Sequence, residues 1–111
     1  MGTQYMFKCI KCGYQVMSSG GKDYGMLAVV DTYICQSCKE IVDVCVGEAG
    51  ETYRKEEIPD KKRSGFDLDF YKCPECHSDT SLVRWNKTKR PCPKCNSKME
   101  KDSAGEILLW D

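Results

Sequence analysis

Eight of the nine cysteines in this 111-residue chain form four pairs with the spacing Cys-x-x-Cys. Two intervening residues let a tight turn direct both sulfurs at one metal ion, and tetrahedral zinc takes four thiolates at about 2.3 Å each. Because two pairs lie in each half of the chain, the sequence predicts two four-sulfur metal sites. The predicted ligands are Cys9, Cys12, Cys35, Cys38, Cys73, Cys76, Cys92 and Cys95.

The four pairs can combine into two sites in three ways. The sequential combination keeps each site within its own half of the chain. Interleaved sites, as in cross-braced RING and FYVE fingers, would enclose the 34 residues between Cys38 and Cys73. That polar span is typical of a tether between modules, so we expect the first pair to join the second and the third pair to join the fourth.

Each Cys-x-x-Cys turn, with the residue after it, is called a knuckle below. The residue after the second cysteine often needs left-handed backbone, because the knuckle amides turn inward toward the sulfurs. Gly13 suits that position, His77 and Asn96 tolerate it, and Lys39 fits it worst.

Short β-branched runs bounded by turn residues predict strands in both halves. In the first half they enter Cys9 and cover 14–17, 26–30 and 41–46. In the second half they cover 70–72, 82–85, 98–101 and 107–110, and Asp102–Gly105 is predicted to be a hairpin loop.

The predicted fold is small, mainly β and metal-stabilised, with two tandem units. Residues 1–47 form the first unit, 48–67 a charged linker closed by Pro59 and Gly65, and 68–111 the second unit. Units of about fifty residues are marginally stable from apolar burial alone. Structural zinc contributes roughly 10–16 kcal/mol of binding energy that becomes folding energy. We therefore expect two zinc ions as cofactors.

The chain resembles tandem zinc-ribbon proteins in its eight paired cysteines and their knuckle residues. Cys9-Ile-Lys-Cys12-Gly13-Tyr14 is also similar to the first knuckle of rubredoxin, in which four cysteines hold one iron. The second pair, Cys35-Gln-Ser-Cys38-Lys39, lacks the Pro and Gly of rubredoxin's second knuckle. A four-sulfur ligand set does not separate zinc from iron. The resemblance therefore implies two zinc ribbons, with iron in the first site and one-electron transfer as the alternative.

Charge and cysteine usage favour a cytoplasmic protein that does not coat nucleic acid. The 17 basic and 17 acidic residues balance, and eight thiolates with two divalent ions would bring the net charge to about −4. No apolar stretch is typical of a signal peptide or a membrane span. In a reducing cytosol, cysteine pairs at ligand spacing favour metal over disulfides.

Three features outside the cysteine pairs have competing interpretations. The segment Arg84–Arg90 places four cations around Trp85 and could bind nucleic acid, although we expect Trp85 and Trp110 to fill the core. Cys45 is predicted to be a small hydrophobe in a strand. His77 completes a pattern similar to haem c attachment, but that chemistry takes place outside the cytosol, so we expect a solvent-facing knuckle residue.

No group of residues resembles a catalytic acid, base or nucleophile, and an all-thiolate zinc site has no open position for substrate. We therefore expect a protein that is not an enzyme. The predicted function is a macromolecular interaction (adaptor) module whose partner is a protein rather than a nucleic acid or a membrane.

Overall fold

A computed structural model describes residues 2–25, 28–48, 50–57, 70–86, 88–102 and 104–110. Within these ranges the chain forms nine strands and a short 3-10 turn at Lys55–Glu57, so the predicted mainly β fold is confirmed. The strands are β1 (Gly2–Cys9), β2 (Gln15–Ser18), β3 (Asp23–Tyr24), β4 (Ala28–Cys35), β5 (Glu40–Glu48), β6 (Glu51–Thr52), β7 (Leu82–Arg84), β8 (Met99–Lys101) and β9 (Ile107–Trp110).

The first sheet is built around β1. Strand β2 pairs antiparallel with one side of β1, and β8 and β9 pair end to end with its other side. Cys9 lies opposite Met99, and Gly2 lies opposite Trp110. Between the two short strands, the Asp102 amide donates to the Met6 carbonyl at 2.8 Å. The predicted β8–β9 hairpin is therefore wrong, because both strands pair with β1 and not with each other.

The second sheet repeats this plan around β4. Strand β5 pairs with one side of β4, and β3 and β7 lie end to end along the other side. Strand β6 extends the sheet beyond β5. Each sheet thus has a central strand that ends at the first cysteine of a knuckle, a returning strand after that knuckle, and a short third strand contributed by the second half of the chain.

The two units are nested in the chain and not arranged in tandem. We call β1, β2, β8 and β9 with their knuckles the outer unit, and β3 to β7 with their knuckles the inner unit. The inner unit is inserted between the two parts of the outer unit. The boundaries 1–47, 48–67 and 68–111 stay a prediction, but both sheets draw strands from both sides of the predicted linker.

The predicted linker and the strand next to it are described only in part. Residues 50–57 contain β6 and the 3-10 turn, whereas 58–69 lie outside the described residues, with Pro59 and Gly65 among them. Residues 70–72, predicted to be a strand, form a turn instead. The Tyr71 amide donates to the Cys45 carbonyl at 2.8 Å, and Tyr71 has a positive φ of 58° that a regular strand does not allow.

Two hydrophobic clusters lie beside the two units. The outer cluster contains Phe7 and Met99, together with Ile41 and Trp85 from the inner unit and the segment that follows it. The Phe7 and Trp85 rings meet edge to face with their centroids 5.1 Å apart. The inner cluster is aliphatic and consists chiefly of Val29, Val42, Val44 and Val46.

A polar network centred on Asp43 joins the two units. Its carboxylate accepts hydrogen bonds from the Ser18 hydroxyl at 2.7 Å, the Ser19 amide at 2.8 Å and the Thr32 hydroxyl at 2.9 Å. The Gln4 side-chain amide donates to it at 3.1 Å. Three of these donors belong to the outer unit or the loop after β2, so Asp43 fixes the outer unit against the inner sheet.

Candidate metal centres

The outer site brings together the first and fourth cysteine pairs. The buried Cys9 ends β1, Cys92 precedes β8, and both lie in the outer cluster. The sulfurs of Cys9 and Cys95 are 3.5 Å apart, as are those of Cys12 and Cys92.

The inner site brings together the second and third pairs. Cys35 ends β4 and Cys73 precedes β7, and both are fully buried. The sulfurs of Cys35 and Cys76 are 3.6 Å apart, and those of Cys38 and Cys73 are 3.9 Å apart.

These distances fit a tetrahedral ion. Four sulfurs at about 2.3 Å from a central ion lie about 3.8 Å from one another, whereas a disulfide joins its sulfurs at about 2.05 Å. Within each group all four sulfurs lie within 4.8 Å of one another. Two four-cysteine groups could therefore hold metal ions, and a closed set of four thiolates fits a structural ion.

The predicted sequential pairing of knuckles is wrong. The two groups are Cys9, Cys12, Cys92 and Cys95, and Cys35, Cys38, Cys73 and Cys76. The reason lies in the sheets: β8 pairs with β1 and β7 pairs with β4, so each carries the knuckle before it to the central strand of the other half.

The four knuckles share one backbone conformation. In each, the amide after the second cysteine donates to the carbonyl of the first cysteine at 2.8–2.9 Å. That residue has a positive φ in every knuckle, as predicted, including the lysine. The values are 82° for Gly13, 54° for Lys39, 62° for His77 and 64° for Asn96.

In the third and fourth knuckles a backbone amide donates a hydrogen bond to the sulfur of the first cysteine. The Glu75 amide lies 3.4 Å from the Cys73 sulfur, and the Lys94 amide lies 3.4 Å from the Cys92 sulfur. Each follows the proline of a Cys-Pro knuckle, so the same turn recurs in both sites. Such bonds favour the thiolate over the thiol and orient it toward an ion.

Two sulfurs are prepared for ionisation by neighbouring hydroxyls. Burial raises the pKa of Cys35, but the Ser81 hydroxyl, 3.2 Å from its sulfur, and other donors outweigh this effect and lower the pKa to about 6. The Ser97 backbone and hydroxyl lower the pKa of Cys95 to about 6. Sequence reasoning missed both serines, although each lies between a knuckle and the strand that follows it.

Two other sulfurs, those of Cys12 and Cys38, resist ionisation without an ion because neighbouring thiols and desolvation favour the protonated form. The Tyr14 backbone lowers the pKa of Cys12, but desolvation and the other cysteines, Cys92 first among them, raise it to about 12. The Cys76 thiol and desolvation raise the pKa of Cys38 to about 12. Each site therefore contains one sulfur that ionises readily and one that needs an ion to lose its proton.

Basic and acidic side chains connect the two sites at the surface. Lys94, inside the last knuckle, lies 3.3 Å from the Glu40 carboxylate, which follows the second knuckle. Tyr14, next to the first knuckle, donates to Glu40 at 2.6 Å. Knuckles of different sites are thus held against each other by one carboxylate.

The other predicted features lie outside both cysteine groups. Trp85 is 4% exposed and its indole donates to the Pro91 carbonyl at 2.9 Å, so its predicted place in the core is confirmed. Trp110 is half-buried against Gly2. Cys45 lies in β5 and is half-buried, and His77 is exposed.

Comparisons with protein families, with curated proteins and with solved structures found no match for this chain. The described residues contain no helix of the length and apolar character that crossing a membrane requires.

Proposed function

We propose that this protein is an adaptor that is not an enzyme, folded around two structural zinc ions, and that β9 presents an apolar surface to another protein. The observation that carries this proposal is the exposure of three consecutive apolar side chains. Ile107 is 64% exposed, Leu108 is 52% exposed and Leu109 is 60% exposed.

Successive side chains of a strand point to opposite faces, so an ordinary strand at a sheet edge alternates apolar and polar residues. Strand β9 is apolar on both faces. It pairs with β1 along one side, and no other described strand pairs with it. An open edge with exposed apolar residues is a hazard unless another chain covers it, and adding a strand is a common mode of peptide recognition.

Zinc is the proposed ion because it supplies folding energy without redox chemistry, and the four thiolates of each site occupy its whole coordination shell. A closed site offers no position for a substrate, which supports a structural role. The separated sulfurs fit a reducing compartment, so we propose a cytoplasmic location.

Native mass spectrometry of the purified protein tests the metal part of the proposal. We expect two zinc ions per chain at neutral pH, and loss of both under denaturing acid. Recovery of a folded chain with fewer than two ions would contradict it.

A photo-crosslinking amino acid at position 108 tests the adaptor part in cells of the native host. We expect one dominant protein adduct that disappears when Ile107→Glu is added. The same crosslinker at Lys11, an exposed residue of a knuckle, should not give that adduct. Adducts with a second copy of the chain alone, or none, would overturn the adaptor role.

Iron in the outer site, with an electron-transfer role, is a second candidate function. It is favoured by the knuckle that completes the site with the first one, which is the fourth. Cys9 and Cys12 meet Cys92-Pro93-Lys94-Cys95, which has the proline that the second knuckle lacks. A rubredoxin-like electron-transfer role predicts a red oxidised protein with one iron after growth without added metal. A colourless protein with two zinc ions would exclude it.

Nucleic-acid binding through 84–90 stays a prediction, and the contacts of that segment make protein the partner we propose. Arg84 pairs with Asp31 at 3.0 Å, and the Arg90 guanidinium lies 5.4 Å from the Phe7 ring centroid. Trp85 is buried, so its ring has no free face for a base.

A further inference from the structure

A groove separates the inner unit from the segment that leads to the last knuckle. It has a volume of about 610 Å³. Three apolar residues line it: Ile34, Val83 and Pro91. Val83 is 48% exposed, so the groove offers a large apolar side chain to a ligand.

Among the residues that the structure describes, the charged ones that line this groove are all basic. They are Arg84, Lys89 and Lys98. A neighbouring hollow of about 450 Å³ shares Ile34 with the groove and is lined by Lys39 and Lys94. No carboxylate is among the described residues that line either space. In a chain whose charges balance overall, a surface lined by cations alone focuses a positive potential.

The ion pairs of these cations show where a negative ligand would bind. Arg84 and Lys94 are already paired with carboxylates, whereas Lys89 and Lys98 have no ion pair with any other residue that the structure describes. The smaller hollow is lined by Cys92 and Cys95, whose thiolate charge would be balanced by the lysines beside them. The larger groove contains no cysteine, so its two unpaired lysines are available to a ligand.

The backbone beside Lys89 is held in place before any ligand arrives. The Asn86 side-chain oxygen accepts from the amides of Thr88 and Lys89 at 2.9 Å each, and the Asn86 carbonyl accepts from the Arg90 amide at 2.7 Å. A fixed backbone lowers the ordering cost of binding. The groove is therefore a formed surface with a fixed rim.

We propose that this groove binds an extended acidic peptide, with carboxylates at Lys89 and Lys98 and an aliphatic side chain against Val83. The peptide is favoured over a nucleic acid because the described residues of the lining include aliphatic side chains and no aromatic ring on which a base could stack. Strand β7, which contributes Val83, pairs with β4 alone among the described strands, so its other edge can bond to a peptide backbone. This site is separate from β9 and does not depend on the adaptor surface there.

Fluorescence anisotropy with a labelled peptide of alternating glutamate and leucine tests the proposal. We expect binding that weakens as salt rises, and at least about tenfold weaker binding in the double variant Lys89→Glu/Lys98→Glu. A peptide of alternating glutamine and leucine should bind much less. The matched control is Lys22→Glu/Lys101→Glu, which makes the same charge change as the double variant. Lys22 is exposed, Lys101 lies over the Tyr5 ring, and neither residue lines the groove.

Native mass spectrometry must show two ions in every variant. If Lys89→Glu/Lys98→Glu loses metal, the neutral variant Lys89→Gln/Lys98→Gln is used in its place. Peptide binding that is equal in the double variant and the wild type would overturn the proposal. So would a single-stranded oligonucleotide of equal charge that binds more tightly and displaces the peptide. Leu108→Glu should leave peptide binding unchanged, which separates this site from the surface on β9.

Discussion

The outer and inner units have the same plan but differ in how they are completed. In both, a central strand ends in a knuckle, a second strand returns, and a Cys-Pro knuckle with a short strand closes the sheet. The inner cluster is aliphatic and comes from its own strands and knuckles. The outer cluster is aromatic and includes Ile41 and Trp85, which lie in the part of the chain between its two halves.

The outer unit therefore depends on the inner one for part of its hydrophobic cluster. The two knuckles of the outer site are separated by a loop of 79 residues, between Cys12 and Cys92, whereas those of the inner site are separated by 34 residues. Loop closure costs only about 0.6 kcal/mol more per doubling of length, so length alone decides little. Packing of a large aromatic is worth about 3–5 kcal/mol. The dependence therefore comes mainly from Trp85 and Ile41.

Removing one ligand from each site is the strongest test of this dependence. We expect Cys35→Ala to lose both ions, because the inner sheet no longer positions Ile41 and Trp85. In contrast, Cys92→Ala should lose one ion and keep the inner unit folded. Metal per chain by native mass spectrometry, with amide exchange of β4, measures both. Equal loss in the two variants would show that the units fold as one.

Acid should remove both ions over the same pH range, because each site contains one thiol with a pKa of about 12 and one with a pKa of about 6. Cys12 and Cys38 have pKa values of about 12 without an ion and must release protons when one binds. Bound thiolates have pKa values far below the usual range, so the stabilisation by metal is present at neutral pH and is lost as pH falls. Chelator competition against pH measures this. Widely separated release steps would reveal a difference that the thiols do not predict.

Trimming the two cores separates their roles. We expect Trp85→Ala to lower the free energy of unfolding by about 3–5 kcal/mol and to weaken the outer site selectively. Val44→Ala, in the inner cluster, should cost about 1–3 kcal/mol and weaken the inner site first. Denaturant titration followed by metal release gives both values. Selective loss at the opposite site in either variant would contradict the assignment of the clusters.

The Asp43 network tests how firmly the units are joined. The Asp43 carboxylate accepts four hydrogen bonds, and in Asp43→Asn one of its two oxygens becomes an NH₂ group that cannot accept. We expect the free energy of unfolding to fall by about 1–3 kcal/mol. The loop after β2 should then exchange its amides faster. Ser37→Ala, an exposed site within the second knuckle, is a control expected to change little.

The smallest expected effect compares two knuckles. Lys39 adopts a φ of 54°, where Gly13 occupies the equivalent position of the outer unit. Lys39→Gly should stabilise the inner unit by about 0.5–1 kcal/mol, because glycine has no penalty in this conformation. Gly13→Lys should cost a similar amount. Thermal unfolding of the metal-loaded variants measures both, and a destabilising Lys39→Gly would show that the lysine side chain makes a compensating contact.

Local features of this fold could be predicted from the sequence. Two residues between cysteines fix the turn, so the left-handed residue of all four knuckles followed from spacing, even at Lys39. The β-branched runs gave most of the strands. Both kinds of signal act over a few residues, and they carry no information about which distant strand is a neighbour.

The pairing of knuckles could not be predicted from that local information. It rests on contacts such as Phe7 with Trp85, which are 78 positions apart. One neglected signal was present: the first two knuckles lie between strands, whereas the third and fourth have a proline after the first cysteine. If each site takes one knuckle with this proline and one without it, the first knuckle cannot pair with the second, nor the third with the fourth. The polar network at Asp43 and the pairing of β9 with β1 had no such signal.

Nesting also sets an order of events on the ribosome. Cys12 leaves the exit tunnel 83 residues before Cys95, which is roughly 4–17 seconds at ordinary elongation rates of about 5–20 residues per second. During that interval the second pair of cysteines emerges and is the nearest pair that can bind an ion together with the first. A nascent chain can therefore bind an ion with a non-native set of four cysteines. Two of these ligands must be replaced before the native sites form.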